Sequence, residues 1–573
     1  MIFRYIIFRH RVGVVESMFK SYFTIAWRTI RKDHPFTLLN LIGLSTGLAC
    51  TLLIYLWVTD ELAMDHFHDK DSRLYQVMDS RHSKDGIHVM EATPALLART
   101  LKEEMPEVEY AAAVLPVSWY GRVTLSATPT NGAAGSMANS PGSLTDSARP
   151  MTDITGGMTD SVRPMTDTAG KMTFSSKQED IKAVGHFADE DFFNVFSYPL
   201  LQGNRDRVLA DKKSIVLSRE LALKLFHTTE NVIGKTVEWE HAQPYVVSGI
   251  FESDQPHSSD RFDFVLPMET FLDTHPWEKV WGRSEEPNTY VVLKQGANVG
   301  AFNRKIEGLI KRKSQDADIN LTLSTRLYSS GYLYGRYENG VQAGGRIEYV
   351  RLFSLIALFI LVIACVNFMN LSTAKASERM KEVGVKKSIG ASRLLLILQF
   401  LGEFLVMTCI SLVLAVLLVK GLLPEFNSIT GKQLSLLPDN QFVGVLLAVA
   451  LVTGLLAGSY PALYLSSFRP AIVLKGTLRT SVGEVWARKG LVVFQFTLTV
   501  LFIVAVLGVY KQIQYKTSIG VGVFLSAGSA TLLITIATIS FQTAIAKRGR
   551  QADHEMFCGK AEAANPAGSL IAE

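Results

Sequence analysis

Six stretches of this chain are long and apolar enough to cross a lipid bilayer, and they constrain the fold more than anything else in it: residues 36–58, 352–374, 394–419, 441–465, 490–510 and 518–546. A hydrocarbon core about 30 Å thick takes about 20 apolar residues in helix. The first two stretches carry no charge, and the third is interrupted only by Glu403. The whole chain of 573 residues agrees, with 48% apolar and 19% charged residues; a soluble domain carries about 25% charge. The net charge of +5 is small for this length, so no concentrated basic face for nucleic acid is expected. The spacing is uneven: one span, then nearly 300 residues, then five spans close together. The fold class expected is an α-helical integral membrane protein of about six transmembrane helices, with a large α+β extracytoplasmic domain between helices 1 and 2.

Orientation follows from lysine and arginine, which stay on the cytoplasmic side of short loops. Residues 1–35 carry seven, residues 375–393 six and residues 466–489 five, against two each for residues 420–440 and 511–517. This alternation puts both termini inside and residues 59–351 outside. Residues 1–35 are read as a cytoplasmic amphipathic segment: Phe19, Phe23, Ala26, Trp27 and Ile30 recur at helical spacing beside Lys20, Arg28, Arg31 and Lys32, the pattern of a helix lying in the interface. In the external region, 245–251, 215–217 and 290–293 read as strands, and 96–104 and 219–226 as helices. Residues 126–172 differ: they are rich in Gly, Ser, Thr, Pro, Met and Asp and nearly repeat TDSARPMTD as TDSVRPMTD. Such a polar repeat cannot bury enough apolar surface to fold by itself, so it is expected to be a disordered insertion in a surface loop.

Little of the chain reads as catalytic. The four cysteines are too few for a disulfide framework. Gly234-Lys235-Thr236 lacks the earlier glycine of a phosphate loop, since Thr229 stands there. His66 and His68 are flanked by Asp65 and Asp69, but no third ligand follows by spacing, and a solvated loop just outside the membrane is the expected setting. No catalytic, cofactor-binding or metal-binding residue is assigned. Glu403 is costly inside a span; it is read first as a partner for a Ser, Thr or Asn on a neighbouring helix, with gating or proton handling as the alternative. Asn367 and Asn370 read as interhelical hydrogen-bond formers, and Gly43-x-x-x-Gly47 and Gly454-x-x-x-Gly458 as small-residue packing faces. The loop 374–393 (AKASERMKEVGVKKSIGASR) alternates bases and acids before Lys386-Lys387 and closes on Gly390. It is expected to form a short amphipathic helix at the cytoplasmic face.

This loop and its flanks carry a resemblance. ACVNFMNLSTAKASERMKEVGVKKSIGAS (364–392) with QFLGEFLV (399–406) resembles the FtsX-like permease domain of MacB-type ABC transporters. DHFHDKDSRLYQV (65–77) resembles the start of that family's periplasmic core domain, and AWRTIRKDHPFTLLNLIGLSTGL (26–48) its entry into the first helix. The resemblance is nearest to tandem permeases of the Bacteroidetes type. It implies a MacB-like periplasmic core over 59–351 and an FtsX-like permease domain over 352–475. It further implies a remnant of a second permease unit over 476–573: VVFQFTLTVLFIVAVLGVYKQIQY (492–515) resembles the first helix of a second unit, yet the family's last helix follows at 518.

What the resemblance implies for function is a permease of the bacterial inner membrane that binds a separate cytoplasmic ATPase. ATP is held by that partner, so the chain needs no cofactor and is not an enzyme. The segment implied to contact the ATPase comprises Glu378, Arg379, Lys381, Glu382, Val383, Gly384, Lys386, Lys387, Gly390 and Ala391. Two ATPase subunits need two such segments, which implies a homodimer or a pair with a related permease. A periplasmic adaptor and an outer-membrane channel are further partners of such exporters, besides the bilayer itself. The alternatives from other classes are a transmembrane regulator of an envelope enzyme and an inactive truncated permease.

Overall fold

The computed structural model describes residues 34–116, 121–127, 180–282, 286–314, 320–374, 376–436 and 440–467, with scattered residues between 490 and 503. Contacts divide the chain into two compact units, one of residues 1–57 and 353–573, the other of residues 58–352. The first unit is built from α1 (His34–Ala63), α2 (Ile347–Ala374), α3 (Ala376–Ser388), α4 (Arg393–Thr430) and α5 (Asn440–Ser467). Among the described residues, α1, α2, α4 and α5 are the helices long and apolar enough to cross a membrane. The fifth and sixth expected spans, 490–510 and 518–546, lie wholly or mostly outside the described residues, as do residues 1–33.

Small residues set how closely these helices approach. A Cβ added to Gly47 would stand 2.5 Å from the Ala364 Cβ, and one on Gly43 would stand 3.2 Å from the Asn367 amide nitrogen. Without side chains there, α1 lies directly on α2, and the Thr51 hydroxyl on the same seam donates to the Ala357 carbonyl at 3.4 Å. Gly454 and Gly458 do the same for α5 against Leu405, Thr408 and Phe404 of α4. In a bilayer, where lipid tails are as apolar as leucine, such close contact is what favours helix association. Both glycine pairs thus serve as the packing faces their spacing predicts. The helices outrun their expected bounds, most of all α4, whose 38 residues span about 57 Å. Lys420 does not end it, because a charge near a span's end does not break a helix; Gly431, left-handed at φ +67°, caps it.

The second unit is α/β. Its strands are β1 (Leu74–Ser83), β2 (Gly86–Met90), β3 (Val108–Pro116), β4 (Val123–Ala127), β5 (Ile181–Ala183), β6 (Gly185–Ala188), β7 (Leu200–Gln202), β8 (Ser214–Ser218), β9 (Thr236–Trp239), β10 (Gln243–Phe251), β11 (Phe264–Pro267), β12 (Asn288–Leu293) and β13 (Leu321–Leu327), with a small hairpin of β14 (Arg336–Glu338) and β15 (Val341–Gly344). The large sheet runs β13-β1-β12-β3-β6-β11-β8-β10-β9-β4-β5, with β2 on β1 and β7 on β10. β8 lies parallel to β10, and β6 parallel to β11. Helices Leu97–Glu104, Met268–Thr274 and Val299–Ile306 cover one part of it, burying Leu97, Leu101, Phe271, Phe302 and Ile306 against Val77, Ala113 and Val291. Burial of each large apolar side chain contributes about 1.5–3 kcal/mol. The helix Arg219–Phe226 begins where the Ser218 hydroxyl accepts the Leu221 N–H and ends at His227 in the left-handed region. Those bounds are the ones its sequence pattern predicts.

Two expectations need correction. The insertion does not start at residue 126: Ser126 and Ala127 close β4, paired with Glu238 and Val237, and Ser126 is buried. Residues 128–172 lie outside the described residues. His68 is not in a solvated loop. It is buried among Phe67, Phe196, Tyr198 and Tyr328, and its Nδ1 accepts the Ser197 N–H at 3.2 Å. Burial pushes its imidazole down to about 4. His66 turns instead to Asp71, 2.8 Å away; an i, i+2 spacing does not show that two side chains part to opposite sides of the chain.

Candidate functional site

The loop between the second and third spans folds as α3, and its two faces differ. Met380, Val383 and Gly384 are buried, with Lys387 half-buried one turn on. This is the i, i+3, i+4, i+7 spacing of a helix face, and it turns inward: Val383 belongs to the apolar cluster of the helical unit, with Leu396, Phe400 and Phe404. On the other face Glu382 and Ser388 are exposed, and so are two apolar side chains, Val385 at 48% and Ile389 at 81%. Of the expected contact residues, Val383 and Gly384 therefore face the protein's own interior, and Glu382 faces out. Glu378 and Lys381 lie on α3, with backbones in helix.

Among the described residues of α3, Arg379, Lys386 and Lys387 make polar contacts. At its start the Arg379 guanidinium donates to Glu403 of α4 at 2.7 Å. In mid-course Lys386 bonds Glu382 at 2.7 Å and Gln399 of α4 at 3.2 Å. Near its end the Lys387 ammonium donates to the Ser466 carbonyl at 2.7 Å. Ser466 stands at the C-terminal end of α5, where unpaired carbonyls and the helix dipole favour a cation.

The α3–α4 corner is built locally. The Ala391 N–H bonds the Lys386 carbonyl and the Gly390 N–H that of Lys387, both at 3.0 Å. This double closure needs a left-handed residue at Gly390, which stands at φ +102°. Ser392 then starts α4, its hydroxyl accepting the Leu395 N–H at 3.3 Å. Gly390 is open to its surroundings, while Ala391 is half-buried against the apolar cluster.

Glu403 is buried within α4, ten residues from Arg393, about 15 Å along the helix axis. Its partner is not the Ser, Thr or Asn expected from sequence. Both carboxylate oxygens are used: one accepts from Arg379, the other from the Gln399 amide at 3.0 Å. The Arg379 guanidinium also lies 5.5 Å from the centre of the Phe400 ring. Asn370 donates to Gln495 at 3.4 Å. Asn367 abuts Gly43, its oxygen buried without a partner.

Sequence reasoning missed Val385, Ile389 and Gln399. The signal for the first two was present, as an apolar i, i+4 pair on the face opposite Val383 and Gly384. The serine of Gly43-Leu44-Ser45-Thr46-Gly47, a GxSxG string, is buried in mid-helix in α1, not on the strand-to-helix elbow where such a serine becomes a nucleophile. Gly234-Lys235-Thr236 leads into β9, and its lysine lies over the Phe226 ring.

Residues 123–309 match the profile of the MacB-like periplasmic core domain, and residues 354–470 that of the FtsX-like permease C-terminal region. The macrolide export ATP-binding/permease protein MacB of Campylobacter jejuni is 23% identical over 261 residues, 45% of this chain and 37% of that protein. An uncharacterised ABC transporter permease of Bacillus subtilis, YvrN, is 22% identical over 302 residues, 50% of this chain and 68% of that one. The chain thus spans well under half the length of the MacB relative it matches. Among solved structures, the periplasmic region of MacB from Actinobacillus actinomycetemcomitans is 14% identical, covering 44% of this chain and 88% of that one at a TM-score of 0.26. With both domain profiles matched in that order and apolar spanning helices framing the periplasmic part, the chain belongs to the MacB/FtsX-type ABC transporter permeases.

Proposed function

We propose that this permease is the membrane subunit of a transporter driven by a separate cytoplasmic ATPase, which seats on the outer face of α3. The observation that carries this reading is the exposure of Val385 and Ile389, at 48% and 81%, beside the charge of Glu382. The opposite face of the same helix is buried, so α3 is held in place while offering an apolar ridge with a charged border. That is the composition of an interface core with a polar rim. Glu382, Val385, Lys386, Ile389 and Gly390 form the proposed contact. ATP binding and hydrolysis in the partner move α3, and α4 and α5 with it through the contacts above. The movement reaches the periplasmic domain and drives export or transfer of a substrate within the envelope.

The arrangement takes both termini as cytoplasmic, six spans in the inner membrane, and two copies of α3 for two ATPase subunits. The second copy comes from a homodimer or a related permease. A periplasmic adaptor and an outer-membrane channel complete an export path. The MacB relatives, named as macrolide export proteins, favour export over regulation of an envelope enzyme.

The test is affinity purification of the whole chain from native membranes, with wild type beside Ile389→Asp. An ABC ATPase should accompany the wild type and be lost from the variant, with insertion unchanged. Absence of an ATPase from the wild type, or equal amounts with both, would overturn the reading.

A further inference from the structure

We propose that the Arg379–Glu403 pair is the tie that makes α3 and α4 move as one piece, and that both are positioning residues for coupling. This rests on the reading that α3 receives an ATPase. The bond is 2.7 Å long, and the Glu403 side chain is only 6% exposed. A carboxylate inside a spanning helix is costly unless its charge is matched, and here the match comes from a different helix. The second carboxylate oxygen is held by Gln399, one turn earlier on α4, so the acid cannot swing to follow Arg379. Arg379 is confined in turn by the Phe400 ring and is itself only 22% exposed. Movement of the start of α3 must therefore drag α4 or break a shielded ion pair.

The pair stands in the first turn of α3, whereas the Gly390 corner stands just beyond its last residue. The corner alone would leave α3 a flap, free to pivot about Gly390 when pushed. With both ends joined to α4, pivoting is blocked, and the push is delivered about 15 Å along the spanning helix. Lys386, bonded to Gln399 in mid-course, adds to the same seam. Val385 and Ile389, the exposed apolar ridge of α3, take no part in these bonds. Breaking the pair should therefore leave partner binding intact while removing transmission.

The experiment uses the full chain in lipid nanodiscs with the ATPase that accompanies wild type. The variants are Arg379→Ala, Glu403→Gln and the exchange Arg379→Glu with Glu403→Arg. Hydrogen exchange of the α3 amides reports the tie; ATPase affinity and permease-stimulated ATP turnover report coupling. In each single variant, α3 exchange should rise about tenfold or more, as local opening becomes easier. ATPase affinity should stay within about threefold and stimulated turnover should fall about tenfold. The exchanged pair should recover protection and part of the turnover. Glu403→Gln keeps the shape and an acceptor, so it reports even if Arg379→Ala fails to insert. Unchanged α3 exchange in both single variants would overturn the proposal. So would increased exchange with undiminished stimulation, which leaves the ATPase reading standing. Loss of affinity together with stimulation would show a merely structural pair and would also overturn it. Failure of any ATPase to bind wild type would instead remove the reading on which the proposal rests.

Discussion

Gly47→Ala adds one methyl group to the closest point between α1 and α2. The new Cβ would stand 2.5 Å from the Ala364 Cβ, and 3.9 Å from the Ala364 Cα and the Ile360 carbonyl oxygen. Two carbons settle about 3.5–4.0 Å apart, so the helices must part by about 1 Å at this level. The neighbouring contacts loosen with them, including the Thr51–Ala357 bond and the approach of Gly43 to Asn367. Overpacking of this kind costs about 1–3 kcal/mol. Replacing a helix-interior glycine by alanine returns up to about 1 kcal/mol, leaving a net loss of about 0–2 kcal/mol. Ala364→Gly removes the atom that is struck, and the nearest neighbours of the new Cβ are then at 3.9 Å, ordinary contact. The double variant should accordingly be more stable than Gly47→Ala, and the coupling between the sites should be about 1–2 kcal/mol. The assay is unfolding of the purified chain in mixed lipid–detergent micelles titrated with dodecyl sulfate, followed by tryptophan fluorescence. A double variant whose loss is the sum of the two single losses would refute the close-packed seam.

Topology is checked by replacing the four native cysteines and labelling single cysteines in intact cells. Lys84→Cys, in the exposed β1–β2 turn, should react from outside, and Ile389→Cys only after permeabilisation; the reverse pattern overturns the orientation. His68 gives a pH effect of defined sign. Its folded value, about 4, lies below the unfolded value of about 6.5. The unfolded chain therefore binds the extra proton between those values, and stability present above pH 6.5 is lost as pH falls toward 4. His68→Phe should flatten that part of the pH–stability curve, and an unaltered slope would show that His68 is not its source. Gly384→Trp should destabilise the helical unit itself, because Gly384 is buried on the inner face of α3; an unfolding midpoint equal to wild type contradicts that placement. The chain freed of any partner should hydrolyse no ATP, and turnover in a preparation shown by mass spectrometry to hold no ATPase would contradict this.

The four spanning helices among the described residues were legible because a bilayer demands an almost continuous apolar run, and no distant residue is needed to recognise one. The same locality made α3 legible, its bases and acids alternating over an apolar face. Its direction was not. Only contact with α4 and α5 shows that Val383 and Gly384 turn inward, leaving Val385 and Ile389 as the exposed ridge. Glu403 was conspicuous as an acid in an apolar run, but its partner lies 24 residues earlier on another helix. The partners expected from sequence were therefore a Ser, Thr or Asn of a neighbouring helix, not an arginine of the preceding loop. Sheet order was beyond sequence for the same reason: β4 pairs with β9, Leu125 opposite Trp239, across more than a hundred residues of chain. His68 shows the cost of reading spacing alone. Its flanking aspartates pointed to solvent or metal, whereas Tyr198 and Tyr328, distant in sequence, enclose it.

The sequence spacing around α3 now has a mechanical rationale. A helix of 13 residues is near the lower limit of stability in water and holds its shape mainly through what it packs on. Its inner face supplies that packing through Met380 and Val383. Packing against smooth apolar surfaces resists separation better than sliding, since dispersion and burial are not directional. The polar contacts supply direction: Lys387 on the last carbonyls of α5, and Arg379 on a carboxylate that Gln399 prevents from turning. Each contact joins α3 to a different spanning helix at a different end, so sliding along either neighbour breaks at least one charge-assisted bond. Such bonds are the stronger class, and in a shielded setting breaking one leaves an uncompensated charge. The apolar ridge of Ile389 and Val385 can then be given over to recognition, because neither the Arg379 nor the Lys387 contact depends on it.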